Sequence, residues 1–378
     1  MDHSLKPFKK LLIVSSEFPP GPGGIGNHAF SLAKALAAQN CQVWVVADAN
    51  YAKNEEVKQF DQALPSGIHM RRVFRRGVQT YLGRIKKVAS ILRKEKIDTV
   101  ILSGRFSLWI GGLLKMSAFR FKSIGILHGS EVRLKNQLWR RFTWWCIRQT
   151  NFLVPVSSFT HQLLPPQLQR KPFKVIENGI DPLEMNGLIR DKELKGSPVL
   201  LTVGNVTPRK GQHRVIKALP KIREKYPSVH YHVVGLPTYK EPFQQLAESL
   251  GVKDLVTFHG RLQHRHELGA VYSAADCFIM LSENQADGEV EGFGIVILEA
   301  NYFKLPAIGA KGCGISAAIK DDYNGYLVDG DESDEILEKL HKVMENRCRL
   351  ARDAYQWSVE HDWNKVVLKY IDVINGLN

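Results

Sequence analysis

Short runs of apolar, β-favouring residues alternate with longer segments of helical periodicity along most of the chain. In the first half the runs fall at 11–15, 42–47, 70–74, 99–103, 123–127, 152–156 and 175–177. Helix-periodic segments lie between them, for example at 28–38, 80–96 and 137–149. The second half repeats the arrangement, with runs near 199–204, 229–235, 255–258, 276–281, 306–308 and 325–328. Strands separated by helix-length segments predict parallel sheets covered on both faces. Two such series predict an α/β protein of two Rossmann-like, doubly wound domains facing a cleft, over residues 1–185 and 186–358. The joint is placed near 180–198, where the segment from Pro182 onward is charged and contains Pro and Gly.

A length of 378 residues agrees with two domains, each large enough for its own core. The five cysteines, Cys41, Cys146, Cys277, Cys313 and Cys348, form no C-x-x-C pair. That spacing argues against a zinc site or a disulfide framework and predicts a reducing compartment. The apolar run at 11–14 is too short for a signal-peptide core or a membrane span and reads as a first strand. A cytoplasmic protein is expected.

Charge is unevenly placed. Residues 1–190 hold 29 Lys and Arg against 12 Asp and Glu, and the remainder holds 23 against 26. The basic excess therefore belongs to the N-terminal half, and a one-sided field points to an anionic membrane surface or a nucleic acid. Two basic stretches contain aromatics, at 71–96 and at 133–148, the latter with Trp139, Trp144 and Trp145. Basic amphipathic helices with Trp suit the interface of an anionic bilayer. The same pattern also describes a core-facing stripe with solvated charges behind it.

Four loops carry candidate chemistry. Gly23, Gly24 and Gly26 turn from the first strand into a helix, where close backbone approach and free N–H groups favour an anionic ligand. The spacing is not the dinucleotide G-x-G-x-x-G, although Asp48 ends the second strand as a dehydrogenase would require. Gly204-Asn205 and Arg209-Lys210-Gly211 occupy the equivalent place in the second half. Adjacent cations at a helix N-terminus are unfavourable unless an anion sits there, and a diphosphate is the natural candidate. His128 follows a strand beside Gly129, at the edge where open α/β sheets bind ligands. Finally, Glu291 and Glu299 flank Phe293, Gly294 and Ile295, with a helix expected to start near Gly294. Glu299 would then lie roughly 7 Å deeper along the axis than the helix mouth. That spacing suits a nucleotide sugar, and it equally suits an amphipathic helix with one solvated and one core-edge carboxylate. The turn at 178–181, Asn-Gly-Ile-Asp, reads as structural.

Taken together, these motifs resemble the family 4 retaining glycosyltransferases of the GT-B fold, which include bacterial lipid mannosyltransferases and polysaccharide-assembly enzymes. The resemblance covers nearly the whole chain and extends through Phe258-His-Gly260 and Asn324 to Val328. It implies that residues 359–378 form a helix crossing back onto the N-terminal domain. It implies that Glu299 holds the ribose hydroxyls, that Glu291 faces the donor sugar, and that the backbone of Phe293, Gly294 and Ile295 meets sugar and diphosphate. Lys210 would neutralise the diphosphate, Gly24 would approach it, and His128 would contact the sugar near the reacting carbon. Asn205 stands where many relatives carry Arg, so that either a cationic clamp contact is lost or Arg209 supplies it from four positions on. The implied reaction moves a sugar from a nucleoside diphosphate sugar to an acceptor hydroxyl with retention, without a metal. A lipid-linked or glycan acceptor at the inner face of a membrane is expected. The alternatives are a soluble acceptor, or a nucleic-acid-binding protein on a silent scaffold, which the intact donor motifs disfavour.

Overall fold

The computed structural model describes residues 9–21, 23–49, 53–74, 79–117, 119–182, 193–262 and 265–377. The chain forms two compact units, one of residues 1–178 with 363–378 and one of residues 179–362. The division falls after Asn178, within the 178–181 turn, rather than after residue 185. The return begins at Trp363 rather than at residue 359.

The first unit is a six-stranded sheet of β1 (Lys10–Ser15), β2 (Gln42–Asp48), β3 (Ile68–Val73), β4 (Thr99–Ser103), β5 (Lys122–Leu127) and β6 (Phe152–Pro155), in the order β3-β2-β1-β4-β5-β6. All neighbours pair in parallel. Leu11, Leu12, Ile13 and Val14 are all buried, so both faces of β1 are covered, which is why its sequence is continuously apolar rather than alternating. The second unit repeats this plan with β7 (Val199–Val203), β8 (His230–Val234), β9 (Val256–Gly260), β10 (Cys277–Met280), β11 (Ala307–Ala310) and β12 (Gly325–Val328), in the order β12-β11-β10-β7-β8-β9. In each sheet the first strand has one neighbour from each half of the series. Loops leaving the carboxyl ends there diverge to opposite sides, and ligands bind in the crevice between them.

Two expectations are corrected. The run at 175–177 forms no strand. Lys174 and Ile176 donate to the carbonyls of Leu153 and Pro155, and an isolated bridge joins Phe173 to Leu153. This edge follows β6 without completing a ladder. Second, the cations of the 71–96 stretch are not all solvated, because Arg72 bonds the Asp61 carboxylate and Arg84 is buried on Asp48. Asp48 is thereby committed to an internal ion pair, which agrees with the rejection of a dehydrogenase reading. The four buried cysteines and the exposed Cys348 are all free thiols. No helix among the described residues is long and apolar enough to cross a membrane.

The helix Trp363–Gly376 belongs to the first unit. It packs on the helix Gly24–Ala38, where His28 Nε2 meets the Tyr370 hydroxyl at 3.1 Å and the Trp363 ring lies 5.2 Å from that of His28.

Candidate active site

In the second unit both key loops leave the sheet at its switch point, one after β7 and one after β10. After β7 the chain passes Gly204 and the exposed Asn205, makes one 3₁₀ turn over Pro208–Lys210, and enters the helix Gln212–Lys225 through Gly211. Gly211 has φ 75°, and a Cβ there would stand 1.9 Å from the Leu281 carbonyl oxygen. Only glycine lets the cationic turn lie flat against the end of β10. Buried Gln212 closes the turn by accepting from Thr207 N–H and donating to the Asn205 carbonyl.

The second loop carries Glu291 to Gly294 and opens the helix Ile295–Tyr302, whose N-cap is Gly294 in the left-handed region, φ 86°. Gly314 pins it from below, donating 2.9 Å to the Glu291 carbonyl, so the loop rests on the short turn Gly314–Ala317. Phe293 is buried, while Ile295 and Glu299 are partly exposed.

These loops bring Arg209, Lys210 and Glu291 into one cluster. Lys210 Nζ lies 2.9 Å from Glu291 Oε2, which also accepts from Arg209 Nη1. Arg209 Nε stands 3.6 Å from Glu289 as well. Burial pushes the Glu291 carboxyl up, but Lys210 and Arg209 outweigh it and hold the group below its ordinary value. The anion that an Arg-Lys pair demands is thus present, and it is a carboxylate of the chain itself. Deeper along the helix, Glu299 accepts a 3.0 Å hydrogen bond from the Tyr272 hydroxyl. Burial, and then Glu299, keep the Tyr272 phenol well above its ordinary value, so it remains a donor.

The first unit places its residues at the equivalent edge. Gly23 caps the helix Gly24–Ala38, and a Cβ there would stand 2.1 Å from a Glu17 carboxylate oxygen. Gly24 is exposed with open space around it, whereas Gly26 packs against the Phe18 backbone. Of the three glycines, Gly24 alone leaves room for a ligand. His128 follows β5, and its Nε2 lies 3.0 Å from Ser103 Oγ at the end of β4. Burial lowers the His128 pKa to about 4, leaving the ring neutral near pH 7. Its backbone N–H donates to Glu131, a carboxyl that burial raises to about 7 against the pull of those backbone donors and of Arg105. Sequence reasoning missed Glu131, Ser103 and Tyr272. The signal for Glu131 was its place three residues after His128 in a strand-end turn. The two tyrosine and serine contacts join distant segments, and no local pattern announces them.

Among the described residues no group of three or more His, Cys, Asp or Glu is arranged to hold a metal ion. Two doubly wound units, with a cationic turn and a two-carboxylate loop meeting at a switch point, define a nucleotide-sugar-dependent transferase of the GT-B class.

Comparison with known proteins narrows the class. Residues 22–183 match the description Glycosyltransferase Family 4, and residues 187–357 match Glycosyl transferases group 1. The chain belongs to the family 4 glycosyltransferases. It is 25% identical to the GDP-mannose-dependent alpha-(1-6)-phosphatidylinositol monomannoside mannosyltransferase of Mycobacterium tuberculosis, over 97% of this chain and 98% of the relative. The enzyme of the same description from Mycolicibacterium smegmatis is 27% identical, with the same coverage. The crystal structure of HepE from Anabaena, solved in complex with UDP, superimposes with a TM-score of 0.74 at 20% identity. It covers 98% of this chain and 100% of its own.

Proposed function

We propose that this enzyme is a retaining glycosyltransferase that takes a sugar from a nucleoside diphosphate sugar, GDP-mannose first, and passes it to a hydroxyl of a lipid-linked acceptor. The observation that carries the reading is the convergence of Arg209 and Lys210 on the Glu291 carboxylate at the switch point. A donor diphosphate offers these two cations two negative charges in place of one, with more acceptor oxygens, and its arrival frees Glu291 to meet sugar hydroxyls. Glu299, one turn and more along the helix, takes the ribose hydroxyls. Within the first unit, His128 offers a ring kept neutral by burial and Gly24 has open space around it, both at the carboxyl edge of the sheet.

In this reading the bond between the anomeric carbon and the diphosphate oxygen breaks while the acceptor oxygen bonds that carbon from the same face. The acceptor proton passes to a leaving phosphate oxygen, so no protein nucleophile is needed. Lys210 and Arg209 stabilise the charge that develops on the leaving group, which is the role a divalent ion takes in other transferases. The relatives' phosphatidylinositol mannoside acceptors and the basic N-terminal half support an acceptor in a membrane, with the enzyme held at its cytoplasmic face.

A thermal-shift series with GDP-, UDP- and ADP-sugars tests the donor, because stabilisation grows with occupancy relative to Kd. GDP-mannose is expected to raise Tm most. Transfer that persists in EDTA and yields a product of unchanged anomeric configuration, read by NMR, is expected. An inverted product ends the retaining mechanism.

A further inference from the structure

The helix Ile295–Tyr302 reads Ile-Val-Ile-Leu-Glu-Ala-Asn-Tyr, and Glu299 is its single charged residue. Its neighbours Leu298 and Ala300 are buried, while Glu299 itself is partly exposed. The donor that reaches its carboxylate comes from 27 positions back in the chain. Tyr272, on the helix Arg265–Ala274, places its hydroxyl 3.0 Å from Glu299 Oε2.

Tyr272 is fully buried, which is costly for a hydroxyl unless it is bonded. Its ring is held from two sides. Phe303, which ends the Glu299 helix, stacks on it at 5.5 Å and 12°, and Phe278 of β10 stands 6.2 Å away at 43°. Close packing on both sides fixes the ring, so the hydroxyl meets the carboxylate from a set direction. Burial and then Glu299 keep the phenol protonated, so Oε2 must accept. A carboxylate has about four acceptor positions, and one spent on Tyr272 orients the group without exhausting it. The strand that carries Phe278 also leads into the loop of Glu291, so both carboxylates are referred to β10.

We infer that Tyr272 is a positioning residue for the ribose of the donor, setting the Glu299 carboxylate so that the enzyme separates ribonucleotide from deoxyribonucleotide donors. The inference rests on the nucleotide-sugar reading above and adds to it the source of ribose selectivity. A glutamate has several rotatable bonds, and fixing them on binding costs affinity. Tyr272 fixes them before the ligand arrives. A fixed acceptor also rejects an analogue that lacks the hydroxyl, because the carboxylate cannot turn away and is left unpaired. Without the tyrosine hydroxyl, Glu299 is free to swing toward water. It then holds ribose less well and penalises deoxyribose less.

The test is calorimetric titration of wild type and Tyr272→Phe with GDP and with deoxy-GDP. Wild type is expected to bind GDP about thirtyfold tighter than deoxy-GDP. Tyr272→Phe keeps the ring, and it should bind GDP about tenfold more weakly while holding deoxy-GDP within about twofold of wild type. A packing defect would instead weaken both nucleotides alike. The KM for GDP-mannose should rise about tenfold with kcat within about twofold, because the ribose lies away from the reacting carbon. In a Glu299→Ala background the hydroxyl has no carboxylate to hold, and adding Tyr272→Phe should change GDP affinity by less than about twofold. That pair reads the coupling even where the single variant folds poorly. Equal weakening of both nucleotides, an unchanged preference for GDP in Tyr272→Phe, or a further loss in the Glu299→Ala background overturns the role of Tyr272 while the donor reading stands. Failure of wild type to bind GDP, or equal binding of GDP and deoxy-GDP by wild type, overturns the donor reading of Glu299 and the inference with it.

Discussion

The carboxyl edges of the two sheets have the same architecture and opposite electrostatics. In the second unit the edge holds full charges in contact, with Arg209 and Lys210 on Glu291. In the first unit it holds titratable groups that burial drives toward neutrality, His128 at about 4 and Glu131 at about 7. A site that must hold a diphosphate needs cations that stay charged. A chain carboxylate keeps them paired until the ligand arrives. A site that meets sugar hydroxyls gains from neutral donors and acceptors, which are not already engaged with counter-charges.

The largest break in this contrast should come from Lys210→Ala. The lysine neutralises the leaving group in the proposed reaction, and loss of one such preorganised group costs about 10²–10³ in kcat. Steady-state kinetics with saturating donor reads it. An unchanged kcat would remove Lys210 from the chemistry.

Glu291→Gln should split binding from transfer. With that anion gone, Lys210 is released and Arg209 keeps only its longer contact with Glu289, so the affinity for the nucleoside diphosphate product should rise about tenfold, a charge-assisted bond being worth roughly 1.5–3 kcal/mol. Transfer should fall, because the sugar loses its carboxylate. Calorimetric titration with GDP beside a turnover assay separates the two, and weaker GDP binding would show that Glu291 does not compete with the diphosphate.

The smallest effect sharpens the neutral edge. Glu131 has a folded pKa of about 7 against an ordinary 4.5, so its contribution to stability is intact below about pH 4.5 and is lost as pH rises through 7. Glu131→Gln keeps an oxygen for the His128 N–H and carries no charge. Its Tm should match wild type in acid and exceed it by a few degrees at pH 8. A variant equally unstable at both ends of that range would mean that Glu131 ionisation carries no cost in the fold.

The order of strands and helices was legible in the chain because periodicity is local. Continuous apolar runs such as 11–14 report a strand covered on both faces wherever it sits. The turns were legible for the same reason. Gly211 and Gly294 mark positions that side chains disfavour, and Arg209-Lys210 before a helix announces an anion. What the chain alone could not show is which anion the structure supplies. Glu291 reaches that place only because β10 lies beside β7, so that two loops far apart in sequence leave the sheet together. The same holds for the cations of the first half. Arg72 and Arg84 count toward its charge, yet Asp61 and Asp48 take them into the interior, while Arg141 and Arg148 stay outside beside the half-buried rings of Trp144 and Trp145. Composition counts charges, but pairing and burial depend on which segments the sheet brings together. Local sequence therefore determined the elements and their reactive ends, and the tertiary arrangement decided which charges were left facing outward.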